Sequence, residues 1–247
     1  MAVKKTKELI LGIIFTLIFF ILLFIMFQPY FGKGQNFLAY SDDLFNQLAK
    51  GSAYFIPKLK KDVEKFRGQN IEITIDLKRP TDTPKDTAER LELAKKLYTT
   101  IGVTAEIKDE TKLFIKGDLG QILTAALEDA DAFYWNKGEI IKEKYKFDNE
   151  KRMFRQWHNT LSAIHKKLTL EKQVTQANII NTVVTKAIEP AYNFYGVTPQ
   201  SVKQRAGVLT ALLIFYVFYT VWWGFAIMYL MEGFGLSTKK AKVKKEV

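Results

Sequence analysis

The sequence predicts a membrane protein with two transmembrane helices and an α+β, mostly helical, extracytoplasmic domain. Residues 9–27 and 207–231 are apolar stretches of 19 and 25 residues that contain no charge. A helix of about 20 apolar residues spans the hydrocarbon core of a bilayer. The segment between them, 28–206, has the mixed composition of a folded domain. Its apolar residues recur mostly at helical intervals, interrupted by one short region of strand-like alternation.

The positions of the basic residues predict how the chain is oriented. The formal net charge is +11, and eight of the lysines lie in the terminal segments 1–8 and 232–247. Basic residues close to a span stay on the cytoplasmic side, whereas only Lys33, Lys203 and Arg205 flank the spans on the opposite side. We therefore expect two cytoplasmic termini, the second a basic tail, and a domain on the outer side.

The first span is predicted to be an uncleaved signal anchor. Its apolar region is longer than the roughly 7–15 residues of a signal peptide, and it continues into Gln28-Pro29 without a small-residue cleavage site. The chain has no cysteine, which excludes disulfides, iron–sulfur ligation and thiol catalysis. Together these features favour the bacterial cytoplasmic (inner) membrane, with the main domain periplasmic or extracellular.

The outer domain, 28–206, is predicted to begin with helices, divided near Gly51 and Pro57 into two helices or one kinked one. A small α/β module follows over 70–117. In "NIEITIDL" every second residue is apolar, which is typical of a half-buried strand. A helix and a β-hairpin come next, so that the predicted order is strand, helix, strand, strand.

The remainder of the domain, 118–195, is predicted to be a helical region that packs on the small sheet as a bundle. Asp118 and Gln121 have the spacing of a capping box at the start of a long helix. Gly138 is expected to interrupt that helix, and Asp148 to cap the next one. Pro190 is expected to bend or end the last helix.

Few residues suggest chemistry. His158 and His165 are two helical turns apart, about 10.5 Å along the axis, which is too far for both to ligate one metal from that helix alone. Glu128 and Asp131 share one helical face, with Asp129 nearby, and carboxylates so spaced suit a hard cation or a shared proton. The preferred interpretation is boundary histidines in a bundle and a solvated acidic face. We predict no catalytic residue, no metal and no cofactor, and hence no enzyme.

Phe133, Tyr134 and Trp135 form an aromatic cluster in the outer domain. Such residues are typical of a hydrophobic core. They are also enriched at protein interfaces, so the three are candidates for an interaction surface.

The second span is unusually aromatic near its middle, where membrane-interface belts do not place rings. Tyr216, Tyr219, Thr220 and Trp223 lie on one side of two turns, and a hydroxyl at that depth needs a helix partner. We predict an intramembrane contact with other chains. The alternative is that the two tyrosines bond carbonyls of their own helix.

These features predict a non-catalytic membrane-anchored envelope protein: an accessory or scaffold subunit, or an assembly factor, of a larger membrane complex, with an outer domain that binds a partner. The alternative is an extracytoplasmic ligand-sensing domain that signals through a separate membrane partner, and a membrane-surface enzyme is a third interpretation. The expected partners are other membrane-protein subunits and the lipid bilayer. Interspersed charges in the middle segment argue against nucleic acid, and no small-molecule ligand is identified.

Overall fold

The computed structural model describes residues 5–236, so most of the predicted basic tail and the first four residues lie outside the described part. The chain forms two units. One contains the described residues up to Leu48 and those from Gln200 onward, and the other runs from Ala49 to Pro199.

The first unit is built on two long helices, α1 (Thr6–Met26) and α10 (Val202–Gly233), each long and apolar enough to cross a membrane. They correspond to the two predicted spans. A third helix, α2 (Phe37–Ser52), begins in this unit and ends within the second. The Asn36 side chain caps α2 by accepting a hydrogen bond of 2.8 Å from the backbone N–H of Ala39.

Helices α1 and α10 pack antiparallel, with small residues where the backbones come closest. A Cβ atom added at Gly12 would lie 2.6 Å from the backbone nitrogen of Leu230, and one added at Gly233 would lie 2.6 Å from Cα of Leu9. Only glycine permits this approach, as in other closely packed apolar helix pairs.

The second unit contains a three-stranded antiparallel sheet. Its strands are β1 (Asn70–Asp76), β2 (Thr104–Ile107) and β3 (Lys112–Asp118), in the order β1-β3-β2, and α4 (Pro84–Thr100) connects β1 to β2. The predicted order of strand, helix, strand and strand is confirmed. The alternation along β1 buries its isoleucines on one face and exposes Glu72 and Asp76.

The other helices of the second unit follow the predicted breaks. They are α3 (Ile56–Val63), α5 (Leu119–Tyr134), α6 (Gly138–Tyr145), α7 (Glu150–Leu170), α8 (Val174–Val183) and α9 (Glu189–Asn193). Helices and sheet share one hydrophobic core, in which Trp157, Tyr98 and Phe154 are among the largest fully buried side chains.

Three helix ends test the predicted caps and breaks. Asp118 caps α5 as predicted, accepting 2.6 Å from the N–H of Gln121. The prediction for Asp148 is wrong, because Asn149 has the extended backbone of a cap and accepts 2.9 Å from the N–H of Arg152. Before Pro190, the chain widens into a π-helical turn, Val184–Ile188, and α9 then ends at Asn193.

Candidate functional site

Helix α7 carries a row of polar side chains on the side that faces away from the core. Phe154, Trp157 and Leu161 recur at intervals of three and four, which turns one side of the helix inward. On the outer side, Arg155 lines two neighbouring clefts, one on each side of it. We consider these two clefts as the candidate site.

The first, which we call the arginine cleft, lies between α7 and the chain that leads from β1 into α4. Its charged lining consists of four arginines and two aspartates: Arg79, Arg90, Arg152, Arg155, Asp82 and Asp86. Leu93 is the one apolar residue among those that line it. The cleft therefore has an excess of positive charge and a polar wall.

Two of the arginines have carboxylate partners. Arg90 forms a bidentate pair with Asp82, and the two side chains are only 11% and 9% exposed. The hydrogen bond from Arg90 lowers the pKa of the Asp82 carboxyl to about 2. Arg152 pairs with Glu89 at 2.6 Å. These contacts neutralise two of the four guanidinium charges.

Arg79 and Arg155 have no carboxylate within ion-pair distance in the described chain. Arg79 donates to the amide oxygen of Asn159, whose nitrogen donates to Gln156 at 3.0 Å. Burial, followed by the charges of Arg90 and Arg155, lowers the pKa of the Arg79 guanidinium. Arg79 is thus close enough to Arg90 and Arg155 to be repelled by both, and the charge of Asp82 offsets part of that repulsion.

The second cleft, the histidine cleft, lies between α7 and the start of α9. His158 Nε2 is 3.3 Å from the Glu189 carboxylate, and Arg155 and Tyr192 complete the polar lining. Glu189 follows directly after the π-helical turn, a feature that often occurs at functional sites. Both side chains of the pair are well exposed, so the contact lies at the surface of the unit.

The predicted weak metal candidates do not come together. His165 lies two turns from His158 and contacts the carbonyl of Ala177 through Nδ1 at 2.9 Å. Glu128 is exposed, whereas Asp131 accepts hydrogen bonds from Tyr54 and Lys60. Across residues 5–236, no three His, Cys, Asp or Glu side chains are placed to hold one metal ion.

The interpretation of a solvated acidic face is wrong for Asp129. This side chain is 2% exposed and accepts hydrogen bonds from Trp157 Nε1 at 2.8 Å, from Lys144 Nζ at 2.6 Å and from the Tyr145 hydroxyl. Burial, with the charge of Asp129 beside it, raises the pKa of Tyr145. The buried carboxylate of Asp129, with its three donors, stabilises the fold and presents no open position to a ligand.

Only one of the three predicted interaction aromatics lies at the surface. Phe133 and Tyr134 belong to the core, where Phe133 stacks between Phe154 and Tyr195 at ring-centroid distances of 4.2 and 3.9 Å. They are excluded from an interaction surface because their rings are covered. Trp135 is 46% exposed.

Trp135 is part of a small exposed surface that we call the tryptophan patch, made of Tyr54, Trp135 and Ile140. The Tyr54 ring contacts Trp135 edge to face at 5.4 Å, and Ile140 is exposed beside them. The ion pair between Lys60 and Asp131 lines the same shallow groove. The patch contains a tryptophan and a tyrosine, two of the residue types that are enriched at interface hot spots.

Sequence reasoning missed Lys50, which is fully buried. Its Nζ donates to the carbonyls of Phe194 and Val197 at 3.0 and 2.6 Å and to the Asn136 side chain at 3.1 Å. Burial lowers the pKa of Lys50 to about 8. The contact joins the beginning of the second unit to its end, and no local sequence pattern distinguishes this lysine from its solvated neighbours.

Most of the predicted intramembrane contact residues have partners within this chain. The rings of Tyr219 and Trp223 each lie 4.4 Å from that of Phe19 on α1. Thr220 donates to the carbonyls of Tyr216 and Val217 in its own helix, whereas the side chain of Tyr216 is 64% exposed. Within the described residues, neither tyrosine hydroxyl forms a hydrogen bond.

An unpredicted polar contact joins the same two helices. The indole Nε1 of Trp222 donates 3.0 Å to the backbone carbonyl of Phe15, and the two rings stack at 4.7 Å. Four of the eight aromatic rings of α10, those of Tyr219, Trp222, Trp223 and Tyr229, therefore contact phenylalanines of α1. The rings of Tyr216, Phe218 and Phe225 are exposed.

Comparison with known proteins gives no relative: no protein-family model, no curated protein and no solved structure matches the chain.

Proposed function

We propose that the chain is a non-catalytic, membrane-anchored envelope protein whose second unit binds a protein partner, as a scaffold or accessory subunit, or an assembly factor, of a larger membrane complex. The observation that carries this proposal is the exposure of Trp135. Trp135 is 46% exposed, whereas Trp157, the other tryptophan of this unit, is fully buried. The neighbouring rings of Tyr134 and Tyr54 hold the exposed indole in place at centroid distances of 5.3 and 5.4 Å. A rigid exposed tryptophan loses little conformational freedom on binding, so it favours tight association.

The proposed topology places both termini in the cytoplasm and the second unit outside the inner membrane. It is supported by the antiparallel packing of α1 and α10, because Lys5 at the start of α1 lies 3.8 Å from Glu232 near the end of α10. Both helices are apolar over the length of a span. Lysines lie close to the start of α1 and beyond the end of α10 in the sequence, and basic residues at these positions favour the cytoplasmic side.

Reporter fusions test this topology directly. A reporter joined after residue 120 should act outside the cytoplasm, and one joined to the C-terminus should act inside. Reporters on the same side would exclude the two-span arrangement.

Partner binding is tested by extracting the native membrane with gentle detergent and measuring the mass of the assembly. Trp135→Ala should release the chain from its complex. Leu170→Ala, a truncation at an apolar position of the same unit that is more exposed than Trp135 (73% against 46%), should leave the complex intact. A wild-type chain that runs as a monomer, or a complex that survives W135A, would contradict the proposal.

A ligand-sensing domain is the second candidate function, and the arginine cleft favours it. Two of its guanidinium groups lack a carboxylate partner in the described chain. An anionic ligand would supply the missing charge.

A further inference from the structure

We propose that the arginine cleft is an oxyanion-binding site for a phosphate group, which the guanidinium groups of Arg79 and Arg155 hold from two sides. This site is distinct from the tryptophan patch, and it does not depend on the presence of a protein partner.

The arginine cleft carries an excess of positive charge, which an anion would neutralise. Four arginines and two aspartates line the cleft, which is a formal charge of +2, or +1 when Glu89, the partner of Arg152, is counted with them. Neither aspartate forms an ion pair with Arg79 or Arg155. Asp82 is engaged by both terminal nitrogens of Arg90, and Asp86 accepts from the Thr83 hydroxyl at 2.6 Å in the cap of α4.

Arg79 is held in position before any ligand arrives. Asn159 accepts from its guanidinium, and Gln156 orients Asn159 while donating 2.9 Å to the carbonyl of Arg152. These hydrogen bonds use one nitrogen of the Arg79 guanidinium and leave the others for a ligand. A fixed guanidinium fork matches the geometry of phosphate oxygens and loses little freedom on binding.

Without a bound anion, the close placement of the arginines in this cleft costs free energy. Burial and the nearby charges of Arg90 and Arg155 lower the pKa of the Arg79 guanidinium, which means that its charge is poorly solvated and repelled. A phosphate dianion between Arg79 and Arg155 removes that repulsion. Because Leu93 is the one apolar residue among those lining the cleft, the wall favours a polar ligand over an apolar one.

Isothermal titration of the purified full chain in neutral detergent tests the proposal. Inorganic phosphate is titrated against the wild type, Arg155→Gln, Arg79→Gln and the control Arg67→Gln. Arg67 is an exposed arginine that pairs with Glu64 away from the cleft. We expect R155Q and R79Q each to weaken phosphate binding about tenfold or more, since one charge-assisted hydrogen-bonding partner is removed. R67Q should bind like the wild type.

Arg155→Gln is the decisive variant because Arg155 makes no hydrogen bond or ion pair within residues 5–236, so its loss should leave the fold unchanged. Absence of phosphate binding by the wild type, or equal affinity in R155Q, would overturn the proposal. A parallel titration with short-chain phosphatidic acid distinguishes the source of the phosphate. Tighter, Arg155-dependent binding of the lipid supports a headgroup, and tighter Arg155-dependent binding of inorganic phosphate supports a free anion.

Discussion

Trp157 Nε1 donates a hydrogen bond of 2.8 Å to the carboxylate of Asp129, deep in the core of the second unit. Because Lys144 and Tyr145 donate to the same carboxylate, this one acid links α5, α6 and α7. The helices are therefore joined by a charge as well as by apolar packing. The contact also fixes the rotation of α7, and with it the direction in which its polar side faces.

Removing this acid should destabilise the protein strongly. In Asp129→Ala the donors of Trp157, Tyr145 and Lys144 lose a common acceptor, and we expect a loss of about 3 kcal/mol or more in the free energy of unfolding. Denaturant unfolding followed by tryptophan fluorescence measures it. Glu128→Ala, at the exposed neighbouring position, should change stability by less than about 0.5 kcal/mol. Equal effects of the two substitutions would contradict a buried network.

Lys50 should make stability depend on pH in the alkaline range. Burial lowers the pKa of Lys50 from its ordinary 10.5 to about 8, so between these values the folded protein binds fewer protons than the unfolded chain. Stability should therefore rise from pH 8 to pH 10.5, by up to roughly 3 kcal/mol, and this gain is lost as the pH falls from 10.5 to 8.

Melting temperatures between pH 7.5 and 10.5 test this expectation. Other groups titrate in the same range, so the informative quantity is the difference between the wild type and Lys50→Met. The variant should show a flatter pH dependence, whereas Lys61→Met, at an exposed position, should keep the wild-type slope. A wild-type slope in K50M would show that Lys50 does not cause the effect.

The close approach of α1 and α10 should depend on Gly12. In Gly12→Val the side chain meets the backbone of Leu230, so the helices must separate or shift. We expect less disulfide formation between cysteines placed at Lys5 and Glu232, and the native chain contributes no cysteine background.

Gly224→Val is the matched control, because a Cβ at Gly224 meets nothing within 4 Å in the described structure. Its cross-linking should equal that of the parent cysteine pair. If both glycine substitutions reduced cross-linking equally, helix propensity rather than close packing would account for the loss.

The start of α7 should depend on Asn149 and not on Asp148. Asn149→Ala removes the oxygen that accepts from the N–H of Arg152, and we expect a cost of about 1 kcal/mol. Asp148→Ala removes an exposed side chain outside the helix and should cost less than half as much. Chemical denaturation measures the free energy of unfolding of the two variants. A larger loss in D148A than in N149A would identify Asp148 as the cap.

Local patterns predicted much of the fold because the features concerned are local. The alternation in β1, the cap at Asp118 and the break at Gly138 each depend on a few consecutive residues. The wrong prediction at Asp148 is also a local one. Asp148 and Asn149 both suit a helix cap, and only the backbone angles distinguish them.

The candidate site could not be predicted in this way. Arg79 and Asn159 are brought together by packing of α7 near the end of β1, and neither has a distinctive local pattern. Asp129 was expected to be solvated because its helix neighbours are acidic, and partners on two other helices reverse that expectation. The rings of Tyr219 and Trp223 indicated a contact, but the sequence could not identify Phe19 of the same chain as the partner.

The pairing of Phe19 with Tyr219 has a consequence for the order of assembly. These residues are about 200 positions apart, which at roughly 5–20 residues per second corresponds to about 10–40 seconds of synthesis. During that interval α1 exists without its partner, while the whole of the second unit leaves the ribosome. The helix pair therefore forms after the second unit has been synthesised, and substitutions at its interface should impair late maturation and leave the earlier folding of the second unit unchanged.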